Sequence, residues 1–210
     1  QTFVKETRKS FFEKLHPLEW VEKQIYTKPL ETAKAFGIPI VFMGENPAFE
    51  YGESETCEIF HPASDGSTKI IYFGSIWPYS NADSLAQAQS MGFRTLSDFD
   101  DWQRQGSADD FTQIDSKGYM IQLWTKFIKF GFQRVSDVAC RFVREGVLTK
   151  EQAGQMIKDS DWICDPLAKK DFCRAIKITE KEFDETIDKF ANTDILVKDA
   201  NGRWRRKDLI

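Results

Sequence analysis

Cysteine and histidine, the residues that most metal sites require, are scarce in this sequence. None of the four cysteines forms a CxxC pair, and they stand at positions 57, 140, 164 and 173. The two histidines, His16 and His61, are far apart along the chain. Zinc sites need clustered thiolates or imidazoles, so we expect no such site. We expect Cys140 and Cys173 to lie on apolar helix faces as free thiols, which is typical of a reducing, cytoplasmic compartment.

Long apolar runs and an excess of basic residues are also missing. No run approaches the ~20 apolar residues that cross a bilayer, and no segment has the pattern of a signal peptide. The 29 basic and 33 acidic residues give a net charge of −4. Proteins that coat nucleic acid gain most of their affinity from a basic excess, so the composition disfavours that class. We therefore expect neither a membrane nor a nucleic acid as partner.

The most informative segment is a short apolar strand followed by a polar loop. The run at 38–43 (IPIVFM) predicts a buried strand of an α/β sheet, and the loop at 44–52 (GENPAFEYG) follows it directly. Ligands of such sheets bind just past the carboxyl ends of the strands. The loop residues that could contact a ligand are Gly44, Glu45, Asn46, Glu50, Tyr51 and Gly52. Together they exceed what a turn requires, although a plain turn remains the alternative.

The first third of the chain predicts two helices and then this strand. The first helix is expected near residues 5–15, and the pair Thr27 and Pro29 indicates the cap and first turn of a second helix over 30–36. A second strand is expected at 69–73. Two strands cannot form a doubly wound sheet, so we expect further strands to precede this segment.

The second half of the chain has a helical pattern. Apolar residues recur at helical spacing at Met120, Leu123, Trp124, Phe127 and Ile128. This stripe predicts a helix that faces the core. Further helices are expected to begin at a Ser136 cap and at capping boxes over 149–152 and 179–182. Asn201-Gly202 in the tail predicts a type I′ hairpin.

Basic residues cluster around the junction of two predicted helices. Lys129 precedes Gly131 at this junction, and the next helix carries further charges three or four residues apart at Arg134, Asp137, Arg141 and Arg144. We expect these side chains to share one face, opposite an apolar face of Val135, Ala139, Phe142 and Val143. Basic groups beside a helix N-terminus suit an anion such as phosphate. The alternative is a solvated face with Asp–Arg pairs, each worth only a few tenths of a kcal/mol.

Three runs of this sequence together resemble one family. They are IPIVFMG with GENPAFEYG, the run at 113–161, and the run at 165–190 with the hairpin tail. They are similar to the N-acetyl sugar amidotransferases, which amidinate acetamido sugars for bacterial surface polysaccharides and flagellin. In that family a similar run holds a lysine, a phenylalanine and a glycine before a helix with aspartate and arginine. The resemblance covers most of residues 1–52 and 70–207.

The resemblance implies an α/β fold and an ATP pyrophosphatase of the PP-loop class. Residues 1–80 would be the C-terminal part of an adenine nucleotide alpha hydrolase-like parallel sheet, and 81–210 a mostly helical region that contacts substrate and partners. The implied cofactors are ATP and Mg²⁺, and the implied substrate is an acetamido sugar or sugar nucleotide. A glutaminase subunit would supply ammonia, alongside a cyclase-like subunit. The acetamido oxygen would be adenylated and then displaced by ammonia, leaving an acetamidine for lipopolysaccharide biosynthesis.

The resemblance also implies roles for the residues named above. The implied catalytic residues are Glu45, Asn46 and Lys129. The implied nucleotide- or substrate-binding residues are Gly44, Glu50, Tyr51, Gly52, Arg134, Asp137 and Arg141. Carboxylates in the loop suit magnesium or sugar hydroxyls, and the basic groups suit phosphate charge.

Two features of the family are missing from this sequence, and they leave alternatives open. The chain contains neither the Ser-Gly-Gly-x-Asp-Ser phosphate loop nor the cysteine-rich N-terminal segment, and its loop at 53–68 is short. We therefore expect a C-terminal fragment that does not hydrolyse ATP alone. One alternative is a non-catalytic module that binds a glutaminase partner. Another is a nucleic-acid-binding protein that uses Arg134, Arg141, Arg144, Arg203, Arg205, Arg206 and Lys207.

Overall fold

The structure is a computed structural model that describes residues 2–46, 48, 59–77 and 80–210. They form two compact units, one of Gln1–Trp20 with Arg94–Ile210 and one of Val21–Phe93. The helices are α1 (Thr2–Lys14), α2 (Glu19–Ala35), α3 (Phe73–Ile76), α4 (Asn81–Ser90), α5 (Lys117–Phe130), α6 (Arg134–Arg144), α7 (Lys150–Ser160), α8 (Pro166–Ile176) and α9 (Glu180–Phe190). The strands are β1 (Ile40–Met43), β2 (Lys69–Tyr72), β3 (Leu196–Lys198) and β4 (Trp204–Arg206), and short 3₁₀ turns span Leu96–Asp98 and Lys207–Leu209.

The Val21–Phe93 unit holds a parallel strand pair. Strand β1 pairs with β2 so that Ile40 lies opposite Lys69 and Met43 opposite Tyr72. Both predicted strands are thus present, and their parallel direction agrees with an α/β class. The expectation that the first is a buried strand is wrong, because Ile40 and Phe42 of β1 are exposed and only Met43 is buried. The expected PP-loop sheet is not observed, because within the described residues this sheet has two strands and helices predominate.

One helix of this region differs from the prediction. Helix α2 runs continuously through Pro29, so Thr27 is not a cap. Its hydroxyl instead donates to the Lys23 carbonyl at 2.8 Å inside the helix. An internal proline removes one backbone hydrogen bond, and the rest of the helix continues around it here. The helix ends near Gly37, whose φ of 64° is the left-handed conformation that glycine adopts readily.

The core of the larger unit is built on helix α5. All five residues of the predicted stripe are buried, from Met120 to Ile128, which confirms that the stripe faces the core. Phe11 of α1 is fully buried, and its ring centroid lies 5.3 Å from those of Phe172 in α8 and Phe183 in α9. These aromatic contacts hold α1 against the helices that follow it by more than 150 residues in the sequence.

The caps of the helices in this unit agree only in part with the sequence. Both capping boxes are present, Thr149 with Gln152 before α7 and Thr179 with Glu182 before α9. The Ser136 cap is wrong, because α6 begins two residues earlier and places this serine in its first turn. The local sequence pattern could not predict where α6 begins, because its N-terminus is bound by a carboxylate from far along the chain.

The C-terminal hairpin is confirmed, but its turn differs from the predicted one. Strand β3 pairs antiparallel with β4, and Lys198 lies opposite Trp204. Five residues connect the strands, rather than the two of a type I′ turn. Asp199 holds this connection, since its carboxylate accepts the amides of Asn201 at 2.8 Å and Arg203 at 3.0 Å. In the part of the chain that the structure describes, no helix has the length and apolar character to span a membrane.

Candidate functional site

The predicted strand-end loop begins where β1 ends. The Asn46 amide donates to the Gly74 carbonyl at 2.9 Å, which joins the loop to α3 behind β2. A Cβ atom on Gly74 would lie 2.6 Å from the Gly44 carbonyl oxygen and 2.9 Å from that of Glu45. The two backbones therefore approach so closely that only glycine fits. Glu50, Tyr51 and Gly52 lie outside the described residues, and the roles of the whole loop remain predictions.

Lys129 lies in the last turn of α5, in the larger unit. Its ammonium is 5.6 Å from the ring centroid of Phe130, and its carbonyl accepts the Asn192 amide at 3.2 Å. The helix ends at Gly131, which has a φ of 77°. A Cβ on this glycine would meet the Ile195 side chain at 2.9 Å. Glycine therefore serves both the left-handed helix end and the packing of the following segment.

The predicted charged face of α6 is divided by burial. Asp137 pairs with Lys126 at 3.0 Å, in a part-buried ion pair. Arg141 is 5% exposed whereas Arg144 is exposed, so the expectation of one shared face for these arginines is wrong. The Nε of Arg134 is buried and, within the described residues, has no hydrogen-bond acceptor. The nucleotide- or substrate-binding roles of Arg134, Asp137 and Arg141 are still predictions.

The apolar face of α6 agrees with the sequence only in part, because Phe142 and Val143 are half-buried and one cysteine lies elsewhere. Val135 and Ala139 are fully buried, as predicted. Cys140 is exposed, so its predicted place on an apolar face is wrong, while Cys173 of α8 is buried as expected. The apolar stripe of α6 is completed instead by Val138, which is 2% exposed.

A buried carboxylate occupies the N-terminus of α6. Asp161 accepts the amide of Gln133 at 3.2 Å, and the amide and hydroxyl of Ser136 at 3.1 and 2.9 Å. Burial raises the pKa of Asp161 to about 6, although these hydrogen bonds act in the opposite direction. The N-terminus of α6, which the sequence predicted as a phosphate-binding position, thus already binds the carboxylate of Asp161.

The larger unit contains an aromatic cleft that sequence reasoning did not predict. Its volume is about 590 Å³, and helices α5, α8 and α9, the α7–α8 connection and the C-terminal hairpin line it. We call it the aromatic cleft, after its wall of Trp124, Trp162, Phe183 and Trp204. The positions of these tryptophans in the sequence did not predict a cleft, because aromatic residues usually belong to the hydrophobic core.

Hydrogen bonds fix two of the three indole rings of the aromatic cleft. Trp204 Nε1 donates to Asp188 at 2.9 Å, and Trp124 Nε1 donates to the Trp162 carbonyl at 3.1 Å. The guanidinium carbons of Arg203 and Arg205 lie 4.7 and 4.2 Å from the Trp162 ring centroid. Hydrogen bonds hold Trp124 and Trp204 in place before any ligand arrives, and cation contacts hold Trp162, whose buried Nε1 has no acceptor among the described residues.

Two ion pairs stand in the wall of the aromatic cleft. Lys169 lies 2.7 Å from Asp184, and Lys198 lies 2.6 Å from Asp188. Burial lowers the pKa of Lys169, but the bond to Asp184 outweighs it and holds the pKa above its usual value. Burial also raises the pKa of the Cys164 thiol, which keeps this cleft residue protonated at neutral pH. The cleft therefore offers aromatic surface with charged donors and acceptors.

Comparison with known protein families identifies the family to which most of the larger unit belongs. Residues 96–208 match the model described as LPS biosynthesis protein WbpG-like, C-terminal domain. The match covers more than half of the chain. The chain belongs to the WbpG-like family. The matched residues include Lys129, the charged helix α6 and the whole aromatic cleft, and the family description places the protein in lipopolysaccharide biosynthesis. No curated protein matches the chain.

Proposed function

We propose that this WbpG-like protein belongs to an ATP-dependent amidotransferase that converts the N-acetyl group of a sugar, free or nucleotide-linked, into an acetamidino group during lipopolysaccharide biosynthesis. The observation that carries the proposal is the family match over residues 96–208. The resemblance of the strand-end loop and of the 113–161 run to N-acetyl sugar amidotransferases supports the specific reaction.

The reaction needs activation because an amide carbon is a poor electrophile. The acetamido oxygen attacks the α-phosphorus of ATP, the bond to the β-phosphate breaks, and pyrophosphate leaves. Ammonia then adds to the activated carbon, the carbon–oxygen bond breaks, and AMP leaves with the oxygen. The acetamidino product retains the new nitrogen. Catalysis therefore requires neutralisation of phosphate charge and a place that excludes water.

Two basic residues of the larger unit suit the phosphate charge. Lys129 presents an ammonium at the end of α5, and Arg134 has a buried Nε donor that no described group accepts. A phosphate oxygen is the kind of acceptor that such a donor requires. We assign both to phosphate neutralisation, with Arg134 as the stronger geometric candidate.

Magnesium would enter this reaction with the phosphates of ATP. Proteins commonly hold Mg²⁺ through one or two carboxylates together with substrate phosphates. Across the described residues, no three His, Cys, Asp or Glu side chains are grouped to hold a metal ion. A single carboxylate such as Glu45 fits the commoner arrangement. Glu45 and Asn46, at the end of a parallel strand, are the candidates to contact the metal or the nucleotide.

A second candidate function is a non-catalytic module that binds an ammonia-supplying glutaminase. The exposed aromatic pair Phe130 and Phe132, 54% and 39% exposed with ring centroids 6.3 Å apart, favours it as a docking point. In the amidotransferase account, a glutaminase and a cyclase-like subunit are partners of the enzyme as well. The two candidates differ in whether the protein itself consumes ATP.

The products of ATP distinguish these candidates. The protein expressed from its complete gene would be incubated with Mg²⁺-ATP, ammonium and UDP-N-acetylhexosamines, and the nucleotides separated by chromatography. We expect AMP and pyrophosphate whose formation requires both sugar and ammonium. Formation of ADP would contradict adenylation. Absence of any nucleotide product, with a glutaminase still bound, would favour the assembly module.

A further inference from the structure

We infer that the aromatic cleft binds the pyranose ring of an acetamido sugar, an inference that rests on the proposed function and assigns its substrate site. The volume of about 590 Å³ lies within the range of small-molecule sites and exceeds what a single sugar ring fills. The remaining space would admit the acetamido group and the first atoms of a substituent.

The half-buried Trp204 supplies the surface that a sugar ring needs. The C–H hydrogens on a pyranose carry partial positive charge, and they pack against the electron-rich face of an indole. Trp204 is suited to this role because its Nε1 is already bound by Asp188 at 2.9 Å. Its ring is held in position beforehand, so binding costs little side-chain entropy.

The charged pairs of the cleft match hydroxyl groups better than phosphate. Each pair offers a donor and an acceptor side by side, Lys169 with Asp184 and Lys198 with Asp188. A hydroxyl both donates and accepts, so it can bond to both members of a pair. The diphosphate of a sugar nucleotide can only accept at neutral pH and would be repelled by the carboxylate beside each lysine. The cleft therefore favours the sugar ring over the diphosphate of a sugar nucleotide.

Indole N–H resonances in ¹H–¹⁵N NMR spectra of the 210-residue chain test this inference. The probes are N-acetylglucosamine, N-acetylgalactosamine, N-acetylmannosamine, UDP-N-acetylglucosamine and UDP. We expect saturable shifts of the Trp204 resonance with at least one acetamido sugar and none with UDP. If UDP shifts the Trp204 resonance as much as the sugars do, the cleft binds the nucleotide instead. The absence of a saturable shift with any sugar would overturn the inference.

Helix α9 provides a matched pair of variants for the same titration. Asp184 lines the cleft and its side chain is 61% exposed, while Glu185 is 65% exposed and outside the lining. Because both are surface carboxylates, neither Asp184→Asn nor Glu185→Gln should disturb folding. We expect D184N to weaken sugar binding about ten-fold and E185Q to leave it unchanged. Equal affinities for the two variants would contradict the assignment.

Failure of the cleft assignment and failure of the proposed function give different results. An enzyme that forms the acetamidino sugar with an unchanged KM for that sugar in the D184N variant would remove the cleft from the site but keep the reaction. Sugar binding to the cleft without any amidine product would keep the cleft and reject the reaction.

Discussion

The carboxylate of Asp161 accepts both the amide and the hydroxyl of Ser136, at 3.1 and 2.9 Å, across 25 residues of sequence. This contact closes the N-terminus of α6 with a group from the end of α7. It fixes the start of the charged helix, and it does so with a side chain that is 1% exposed. The position of Arg134, in the first turn of the same helix, depends on it.

The titration of Asp161 should affect stability in a defined direction. Its pKa in the folded protein is about 6, above the ordinary value of 3.8, so the folded protein binds the proton more tightly than the unfolded chain. This contribution to the free energy of unfolding is complete below pH 3.8 and is lost as the pH rises through about 6. It amounts to at most about 3 kcal/mol.

The Asp161→Asn variant isolates this effect, because asparagine does not titrate. We expect the stability of the variant relative to the parent to increase as the pH rises from about 4 to about 7, measured by urea unfolding at each pH. The ¹³C shift of the Asp161 carboxyl group should titrate near pH 6. A relative stability that falls over the same range would mean that the hydrogen bonds outweigh burial.

Gly106 should tolerate no side chain. Its φ is 64°, and a Cβ atom would lie 2.2 Å from the carbonyl oxygen of Ile163, a residue of the aromatic cleft. We expect Gly106→Ala to destabilise the larger unit by about 3 kcal/mol or more, because the contact is with backbone. Gly154→Ala is the control, since Gly154 lies within α7 with open space around its Cα. That variant should gain up to about 1 kcal/mol. Similar melting temperatures for both variants would refute this account.

The ion pair of Arg104 and Asp109 should contribute far more than the surface pairs. Its side chains are 2% and 5% exposed and 2.9 Å apart. Burial lowers the pKa of Arg104, though Asp109 opposes the change. We expect Arg104→Ala to cost about 3–5 kcal/mol, because it leaves a buried carboxylate uncompensated.

The pair of Lys14 with Glu19 is the control for this prediction. It is 2.8 Å long, and its lysine side chain is 55% exposed. Lys14→Ala should cost less than about 1 kcal/mol. Urea unfolding followed by tryptophan fluorescence suits both variants, since five of the six tryptophans belong to the larger unit. Equal losses would show that burial of the pair is not what matters.

Lys129→Ala should remove turnover without changing stability. If the ammonium neutralises phosphate charge, its loss should lower kcat by about 100-fold or more in the protein made from the complete gene. Lys189→Ala is the matched control, because Lys189 also lies in the last turn of a helix, 5.5 Å from the following phenylalanine ring. That variant loses the same kind of contact. Unchanged turnover in Lys129→Ala would remove this lysine from the site.

The elements that the sequence predicted are those set by local pattern. The stripe on α5 and the capping boxes at Thr149 and Thr179 follow from the spacing of neighbouring residues, and all are present. The errors occur where a group far away in the sequence determines the local structure. Serine is a common helix cap, so the sequence predicted Ser136 in that role, but Asp161 binds the helix end from 25 residues away. Pro29 suggests a helix start, but the turns on both sides support one continuous helix.

The candidate site was predictable only in part, for the same reason. Lys129 and Arg134 lie close together in the sequence, so the sequence names them as candidates, and their roles in the site stay predictions. The aromatic cleft joins Trp124, Trp162 and Trp204 from three separate parts of the chain, and only tertiary packing reveals it. Arg141 shows the reverse case, since helical spacing predicted a shared charged face, yet the residue is buried.

Transfer of labelled nitrogen into the sugar tests the central claim most directly. The protein from the complete gene would be supplied with Mg²⁺-ATP, ¹⁵N-ammonium and acetamido sugar nucleotides, and the sugar product would be analysed by mass spectrometry and ¹⁵N NMR. The amidotransferase account predicts one ¹⁵N atom in an acetamidino group, in place of the acetamido oxygen, with that oxygen recovered in AMP. A sugar that retains its oxygen and contains no ¹⁵N, while ATP is consumed, would contradict the account.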